Sequence, residues 1–419
     1  MYVDDFWGDF MKRLYLASLV LALACSTGCA AGYAQTPAPK LGDAGEPADT
    51  AIADSINDFG FEVLQRAAVP DQNTAVSPIS LHSLLTSIRV GARNTTADEM
   101  DRVLHQEDTD IDFQAYSDLI ARLRKLDLAT VNVANAIWFD EGFTPSEPFV
   151  EINADFFGAQ IQTGDLGSAK TASAIDSWVS KHTGGKIKNA ALEPDPQMSV
   201  ELVNTLYFLG QWADEFDERD TYPQEFRPEI RQPIEVDMMH AGGNYLYSED
   251  ATAQMVMLPY KGGDVVTYVL VPTGDTQVGD VLAGLNAAEW NRRISSLEEQ
   301  EGDVAMPRLE FSAGVEGLES VLASMGMPTA FSSGADLSGI GVDPQGALRL
   351  SRIVHRTYLR VDEKGAEAAA TSGAEGTAAA SVDENTRFSL TADRPYLFVI
   401  AEKASGCLLF TGVIGDPRQ

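Results

Sequence analysis

Apolar positions in the first part of the chain recur at helical spacing. Ile52, Ile56, Phe59, Val63 and Leu64 mark one face of a helix over Ile52 to Ala67. Leu81, Leu84, Leu85 and Ile88 mark a second, with Gly91 placed as its stop signal. Thr96, followed by Glu99, reads as a capping box that opens a third helix through Met100 and Val103. A fourth is expected near Phe113 to Leu126. Strand-like runs then dominate. Ala129 to Phe139 and Glu201 to Leu209 are two of them, and Met255 to Pro259 with Val265 to Val271 form a pair around Gly262-Gly263. Tyr396 to Ala401 and Cys407 to Val413 predict a hairpin, turning at Lys403 to Gly406. Helices around Ile175 to His182 and Val315 to Met325 interrupt this pattern. Helices first and strands later place the chain in the α+β class. No internal repeat or later linker divides it, so 50–419 reads as one domain.

The beginning of the chain has a different pattern. Met11, Lys12 and Arg13 form a basic region, and Leu14 to Ala24 is an apolar run too short to span a membrane. Residues 1–29 therefore read as a secretory signal, with Met11 as the expected start. Ser26-Thr27-Gly28-Cys29 resembles a bacterial lipobox with Cys29 as the lipidated residue, although Ser26 stands where leucine is usual. An ordinary cleaved signal that releases a soluble protein is the alternative. Residues 30–49, rich in Ala, Gly, Pro and Thr, read as a flexible tether. The expected location is the cell envelope, through a lipid anchor, or the extracellular medium.

Composition removes several function classes. The formal net charge of −32 leaves nothing to neutralise a row of phosphates or to bind anionic lipid electrostatically. The five histidines, His82, His105, His182, His240 and His355, form no H-E-x-x-H pattern. There is no G-x-S-x-G elbow and no glycine-rich loop ending in Lys-Ser/Thr. The chain is read as no enzyme, with no metal and no cofactor. Cys407 is the one cysteine beyond the leader, and its apolar run Cys407-Leu408-Leu409-Phe410 reads as core.

The segment 365–386 breaks the pattern of the rest. Val382 is its only apolar side chain larger than alanine, so it cannot bury enough area to offset its ordering entropy. Loops this long inside a compact domain are usually functional. Positions 366, 368, 370, 372, 374, 376 and 378 are Ala, Ala, Ala, Ser, Ala, Gly and Ala, while Glu367 and Glu375 fall on the other alternation. As a strand, the segment would present one small, uncharged face. No proline would block its ladder. A flexible alanine-rich linker with accidental alternation fits the same composition.

Several segments together resemble the serpin family, from about residue 52 to residue 417. They are Asn73-Thr74-Ala75-Val76-Ser77-Pro78-Ile79-Ser80, Val90-Gly91-Ala92, Val133-Ala134-Asn135-Ala136-Ile137-Trp138 and Asn204-Thr205-Leu206-Tyr207-Phe208-Leu209-Gly210-Gln211-Trp212. They continue with Met306-Pro307-Arg308-Leu309, Ala335 to Ile340, Val361-Asp362-Glu363-Lys364-Gly365, Arg394-Pro395-Tyr396-Leu397-Phe398 and Phe410-Thr411-Gly412.

The resemblance implies three β-sheets, about nine helices and an exposed reactive loop, here 363–386. It implies a suicide-substrate inhibitor: a protease cuts the loop, which then inserts into the main sheet with the acyl-enzyme attached. Ser77, Ser80, Asn204 and His355 match the shutter that holds the central strands. Trp212, Arg308 and Glu363 match the breach where insertion starts, with Arg308 expected to pair with Glu363. Glu363, Lys364, Gly365, Ala366, Glu367, Ala368, Ala369 and Ala370 match the hinge. Ala366 stands where the family usually has Thr or Ser, and Asp176 where it has asparagine before Trp178. The family spacing counted from Glu363 puts the reactive bond at Ala379–Ala380, with Ala380–Ser381 as the alternative. Alanine there implies an elastase- or subtilisin-like serine protease as partner, or a cysteine protease, acting on a monomeric chain. The alternative reading is a non-inhibitory serpin, a surface binding or structural lipoprotein.

Overall fold

In the computed structural model, which describes residues 50–107, 111–191, 193–342, 348–366 and 387–419, the helices come first. The first, α1 (Thr50–Ala67), buries Ile56, Phe59, Val63 and Leu64 on the face that their spacing predicts. Strand β1 (Thr74–Val76) leads into α2 (Pro78–Arg89), which starts on a proline whose missing N–H costs nothing at a helix N-terminus. Then follow α3 (Asn94–Val103) and α4 (Phe113–Arg124), the latter capped by Asp112, which accepts from the Ala115 N–H at 3.0 Å.

The middle of the chain runs β2 (Ala129–Phe139), β3 (Thr144–Pro145), α5 (Glu147–Ile152), β4 (Ala159–Thr163), α6 (Ala169–His182) and β5 (Val200–Gln211). Next come β6 (Thr221–Phe226), β7 (Ile234–Glu249), β8 (Ala253–Pro259), β9 (Val265–Pro272), α7 (Val278–Ala283) and α8 (Ala287–Ser295). Strands β10 (Glu298–Pro307) and β11 (Leu309–Ala313) precede α9 (Leu318–Met325) and β12 (Gly341–Val342). The end comprises β13 (Arg352–Asp362), β14 (Gly365–Ala366), β15 (Phe388–Thr391), β16 (Tyr396–Glu402) and β17 (Leu408–Ile414).

The strands form three sheets. A nine-stranded sheet has the order β1-β17-β16-β9-β8-β7-β10-β15, with β6 beside β7. A six-stranded sheet has the order β11-β13-β14-β5-β2-β4, and a small one pairs β12 with β3. The six-stranded sheet carries α2 on one face through Ser80, Ser83 and Asn204. On the other face α6 buries Ile175, Trp178 and Val179 against Val203, Val354 and Tyr358. Its central strand β5 is therefore buried on both faces over most of its length.

One local reading of the sequence is corrected and a second is refined. Thr96 and Glu99 do not form a capping box: the helix begins at Asn94, after Arg93. Thr96 Oγ1 accepts from the Asp336 N–H at 2.9 Å, and Glu99 accepts from the Thr329 N–H at 2.9 Å. Both side chains are drawn to a later loop instead of to their own helix end. Gly91 does follow directly on the helix end, after the Val90 cap, but without a left-handed φ. A side chain there would run into Ile340, so glycine allows a close approach of two segments.

Candidate functional site

The centre of the six-stranded sheet is a seam between β5 and β13. These strands pair in parallel from Arg352 opposite Glu201 to Tyr358 opposite Tyr207. Beyond Tyr358 they part, and β14 fills the gap. Gly365 and Ala366 pair antiparallel with Gln211 and Gly210 on one side, and with Asp362 and Val361 on the other. Ala366 is 1% exposed. Gly365 adopts φ +139°, and a Cβ there would collide with the Gly210 carbonyl and crowd the backbone of Gln211 and Trp212.

Three further groups fix this end of the seam. Trp212 Nε1 donates to the Asp362 carbonyl at 3.0 Å and its backbone N–H donates to the Lys364 carbonyl at 2.9 Å. Its indole stacks on Tyr260, with centroids 4.5 Å apart. The Phe216 N–H donates to the Glu363 carbonyl at 2.9 Å. The Glu363 carboxylate is buried and accepts from Arg308 Nε at 2.8 Å and Thr221 Oγ1 at 2.5 Å. Burial pushes that carboxyl up, but the bonds from Arg308 and Thr221 outweigh it, so it is held below the ordinary value. Arg308 and Glu363 thus pair as expected. Thr221, Phe216 and Tyr260 carried no signal in the sequence.

Midway along the seam a buried polar network crosses it. The Ser77 N–H can only donate, so His355 Nε2 accepts from it, at 3.0 Å. The ring proton therefore sits on Nδ1 and is donated to Asn204 Oδ1 at 2.6 Å. Ser80 Oγ donates to the same oxygen at 2.8 Å, Asn204 Nδ2 donates to Asn135 Oδ1 at 2.5 Å, and Asn135 Nδ2 donates to Ser83 Oγ at 3.2 Å. His355 and Asn204 face each other directly in the ladder. Burial, with Arg356 adding to it, lowers the His355 pKa to about 3, so the ring is neutral. The structure therefore brings together Ser77, Ser80, Asn204 and His355 in one cluster, and Trp212, Arg308, Glu363, Lys364, Gly365 and Ala366 in another. Asn135 and Ser83 join the first; Asn135 lay within a motif but had no assigned role.

Glu367, Ala368, Ala369 and Ala370, the bonds at Ala379–Ala380 and Ala380–Ser381, and Cys29 with the tether lie outside the described residues. Asp176 accepts from the Ala190 and Ala191 N–H groups, both at 2.7 Å, which gives the carboxylate a local structural role. Cys407 is fully buried, and burial pushes its thiol up, keeping it protonated and inert. Among the described residues no group of three or more His, Cys, Asp or Glu is placed to hold a metal ion. No described helix is long and apolar enough to cross a membrane.

Comparison with known proteins gives one consistent result. The family model described as serpin (serine protease inhibitor) matches residues 54–417. A leukocyte elastase inhibitor of Bos taurus is 31% identical over 362 residues, covering 83% of this chain and 94% of its own. A serpin-like protein of Thermococcus kodakarensis is 29% identical over 392 residues, covering 92% and 91%. The crystal structure of tengpin, a thermophilic serpin, in the native state superposes with a TM-score of 0.83 at 24% identity, covering 88% of this chain and 95% of that one.

Proposed function

The chain belongs to the serpin family, and we propose that it is an inhibitory member, cut in its loop by an elastase- or subtilisin-like serine protease that it then traps. The family contains many protease inhibitors. The observation that carries the inhibitory reading is the seating of Gly365 and Ala366 between β13 and β5. The next strand of the sheet has been started, and its register is set on both sides.

Continued in that register, the loop meets matching neighbours. Positions that alternate with Ala366 would face the core, and these are the small ones: Ala368, Ala370, Ser372, Ala374 and Gly376. Ser372 lies six residues beyond Ala366, Asn204 six before Gly210 and His355 six before Val361. The one hydroxyl on the small face would thus arrive between the two groups whose hydrogen bond the opening seam breaks. It can accept from His355 Nδ1 and donate to Asn204 Oδ1. A buried donor or acceptor left unpaired costs about 1–3 kcal/mol, so this replacement favours the open sheet. On the outer face, Glu367 would lie opposite Arg360, and Glu375 opposite Arg352. Each loop glutamate gains an arginine, although Glu375 also meets Glu201 on the other side.

Cleavage frees the loop to complete this strand, and the attached acyl-enzyme is carried along before it can deacylate. Insertion exchanges one set of parallel strand pairs for two antiparallel sets, a net gain in backbone hydrogen bonds worth about 0.5–1.5 kcal/mol each. Heating cut and uncut protein tests this step. Cleavage within 379–381 should raise the melting temperature; an unchanged midpoint means that no insertion occurs.

We extend the proposal to location. Residues 1–29 act as an export signal, lipidated at Cys29, and 30–49 tether the inhibitor domain of 50–419 to the cell envelope. The basic and apolar pattern of Met11 to Ala24, followed by the lipobox-like Ser26 to Cys29, supports this reading. Radiolabelled palmitate incorporation that a Cys29→Ser variant fails to abolish would count against the anchor.

A further inference from the structure

We propose that insertion of a strand between β5 and β13 takes up a proton at Glu201, which makes trapping sensitive to pH at the foot of the seam. Like trapping itself, this rests on insertion of the cut loop as proposed above. Glu201 lies two residues before Val203 on β5, hence on the face that α6 covers, and it is 3% exposed. Its Oε1 is buried and has no hydrogen-bond partner among the described residues. A charged carboxylate is costly in such a place, and a neutral carboxyl much less so.

Charged groups act on it from three elements. Arg352 stands directly opposite on β13, with Nη1 donating to the Glu193 carbonyl at 2.7 Å. Asp176 comes from α6 and Glu319 from α9. On the β2 side its ladder partner is Trp138, which carries no charge. Burial raises the carboxyl most. Arg352 opposes this more strongly than either Asp176 or Glu319 adds to it, and the balance leaves Glu201 at about 7.

Parting the seam divides these groups unequally. Glu319 leaves with β13, because it accepts from the Ile353 N–H at 2.6 Å. Asp176 stays with β5, because it accepts from the Ala190 and Ala191 N–H groups in the segment that leads into that strand. Arg352 leaves with β13, and an inserted strand moves it one strand spacing, about 4.8 Å, farther off. Arg352 is the larger of the two departing influences, so Glu201 becomes harder to ionise. In the register given above, the group that would take its place is Glu375, a second carboxylate. The inserted form therefore takes from solvent a proton that the uncut form has lost above about pH 7. Below that value the carboxyl is neutral in both forms, and the cut form keeps its full advantage. Above it the uncut form ionises and the cut form does not follow. The advantage then falls by up to about tenfold in equilibrium constant per pH unit.

The experiment measures unfolding midpoints in guanidinium chloride for the full chain, uncut and cut within 379–381, from about pH 6.5 to about pH 8.5. The same series is run on Glu201→Gln, whose amide stands in for the neutral acid. The parent's gap between cut and uncut midpoints should be widest at the low end and shrink toward the high end. The variant's gap should stay constant, at the parent's low-pH value. A parent gap that does not shrink, or a variant gap that shrinks as much as the parent's, would overturn the proton link and leave insertion standing. No gap at any pH, in either protein, would overturn insertion itself and the proton link with it.

Discussion

Ala366 stands directly across from Gly210 in the antiparallel ladder, inside the main sheet and 1% exposed. One methyl group fits between β5 and β13 at this point. A long or charged side chain would have to leave the sheet or stay buried without a partner. Ala366→Arg should therefore unseat β14 and turn an inhibitor into a substrate. The measurement is the stoichiometry of protease consumed against inhibitor cut, which should move from near one toward complete turnover.

Gly365→Ala probes the same seat through the backbone. The left-handed φ and the clash with Gly210 make any Cβ costly, by about 1–3 kcal/mol of local strain. Limited proteolysis at 362–366 should accelerate while the global unfolding midpoint changes little. Unchanged protection there would mean that β14 is not held in solution.

Arg308→Ala should cost about 1.5–3 kcal/mol of native stability, because it removes the charged partner of the buried Glu363 carboxylate and leaves it only the Thr221 hydroxyl and a backbone N–H. The pH dependence has a definite sign. The carboxyl is held below its ordinary 4.5, so its contribution is full above that value and is lost as pH falls through and below it. Glu363→Gln should weaken the native state at pH 7 and flatten the acid limb of its stability curve.

Two buried groups titrate in opposite senses along the seam. His355 is lowered to about 3 from 6.5, so its contribution is lost as pH falls below 6.5 toward 3. Glu201, which burial raises to about 7 from 4.5 with Asp176 and Glu319 adding to it against Arg352, favours the native state as pH falls from 7 toward 4.5. Each slope is about 1.4 kcal/mol per pH unit at most, and they oppose each other between 6.5 and 4.5. Denaturant unfolding should therefore be nearly flat in that window. Glu201→Gln should expose the loss due to His355, and His355→Asn the gain due to Glu201. Parallel curves for the three proteins would contradict this assignment.

Much of the architecture is legible from residue patterns. The face of α1 follows from Ile56, Phe59, Val63 and Leu64, and both hairpins follow from apolar runs joined by glycine-bearing turns. The long strand β7 is not legible, because it mixes acids, Gly242-Gly243 and a half-exposed face while it pairs with β6, β8 and β10 in turn. The seam is harder still. By itself His355 reads as a satisfied strand histidine, and its Ser77 partner is 278 residues away in sequence. Only the family resemblance brought Ser77, Ser80, Asn204 and His355 together. Thr221, 142 residues before Glu363, had no motif to mark it, since a lone hydroxyl on an edge strand has no distinguishing pattern.

Ser372→Ala isolates the exchange of hydrogen bonds at the middle of the seam. The uncut protein should be unaffected, while the cut form should lose about 1–3 kcal/mol of its extra stability, because His355 and Asn204 then face a methyl group. A cut form as stable as the parent's would break the register argument.

The most direct test mixes the protein with elastase or subtilisin and resolves the products on a denaturing gel, beside an Ala368→Arg variant. The parent should yield a covalent complex that survives denaturation, and the variant only cleaved chain and free protease. Clean cleavage of the parent, or an equally abundant complex with the variant, would contradict the claim that this loop becomes a strand of the main sheet.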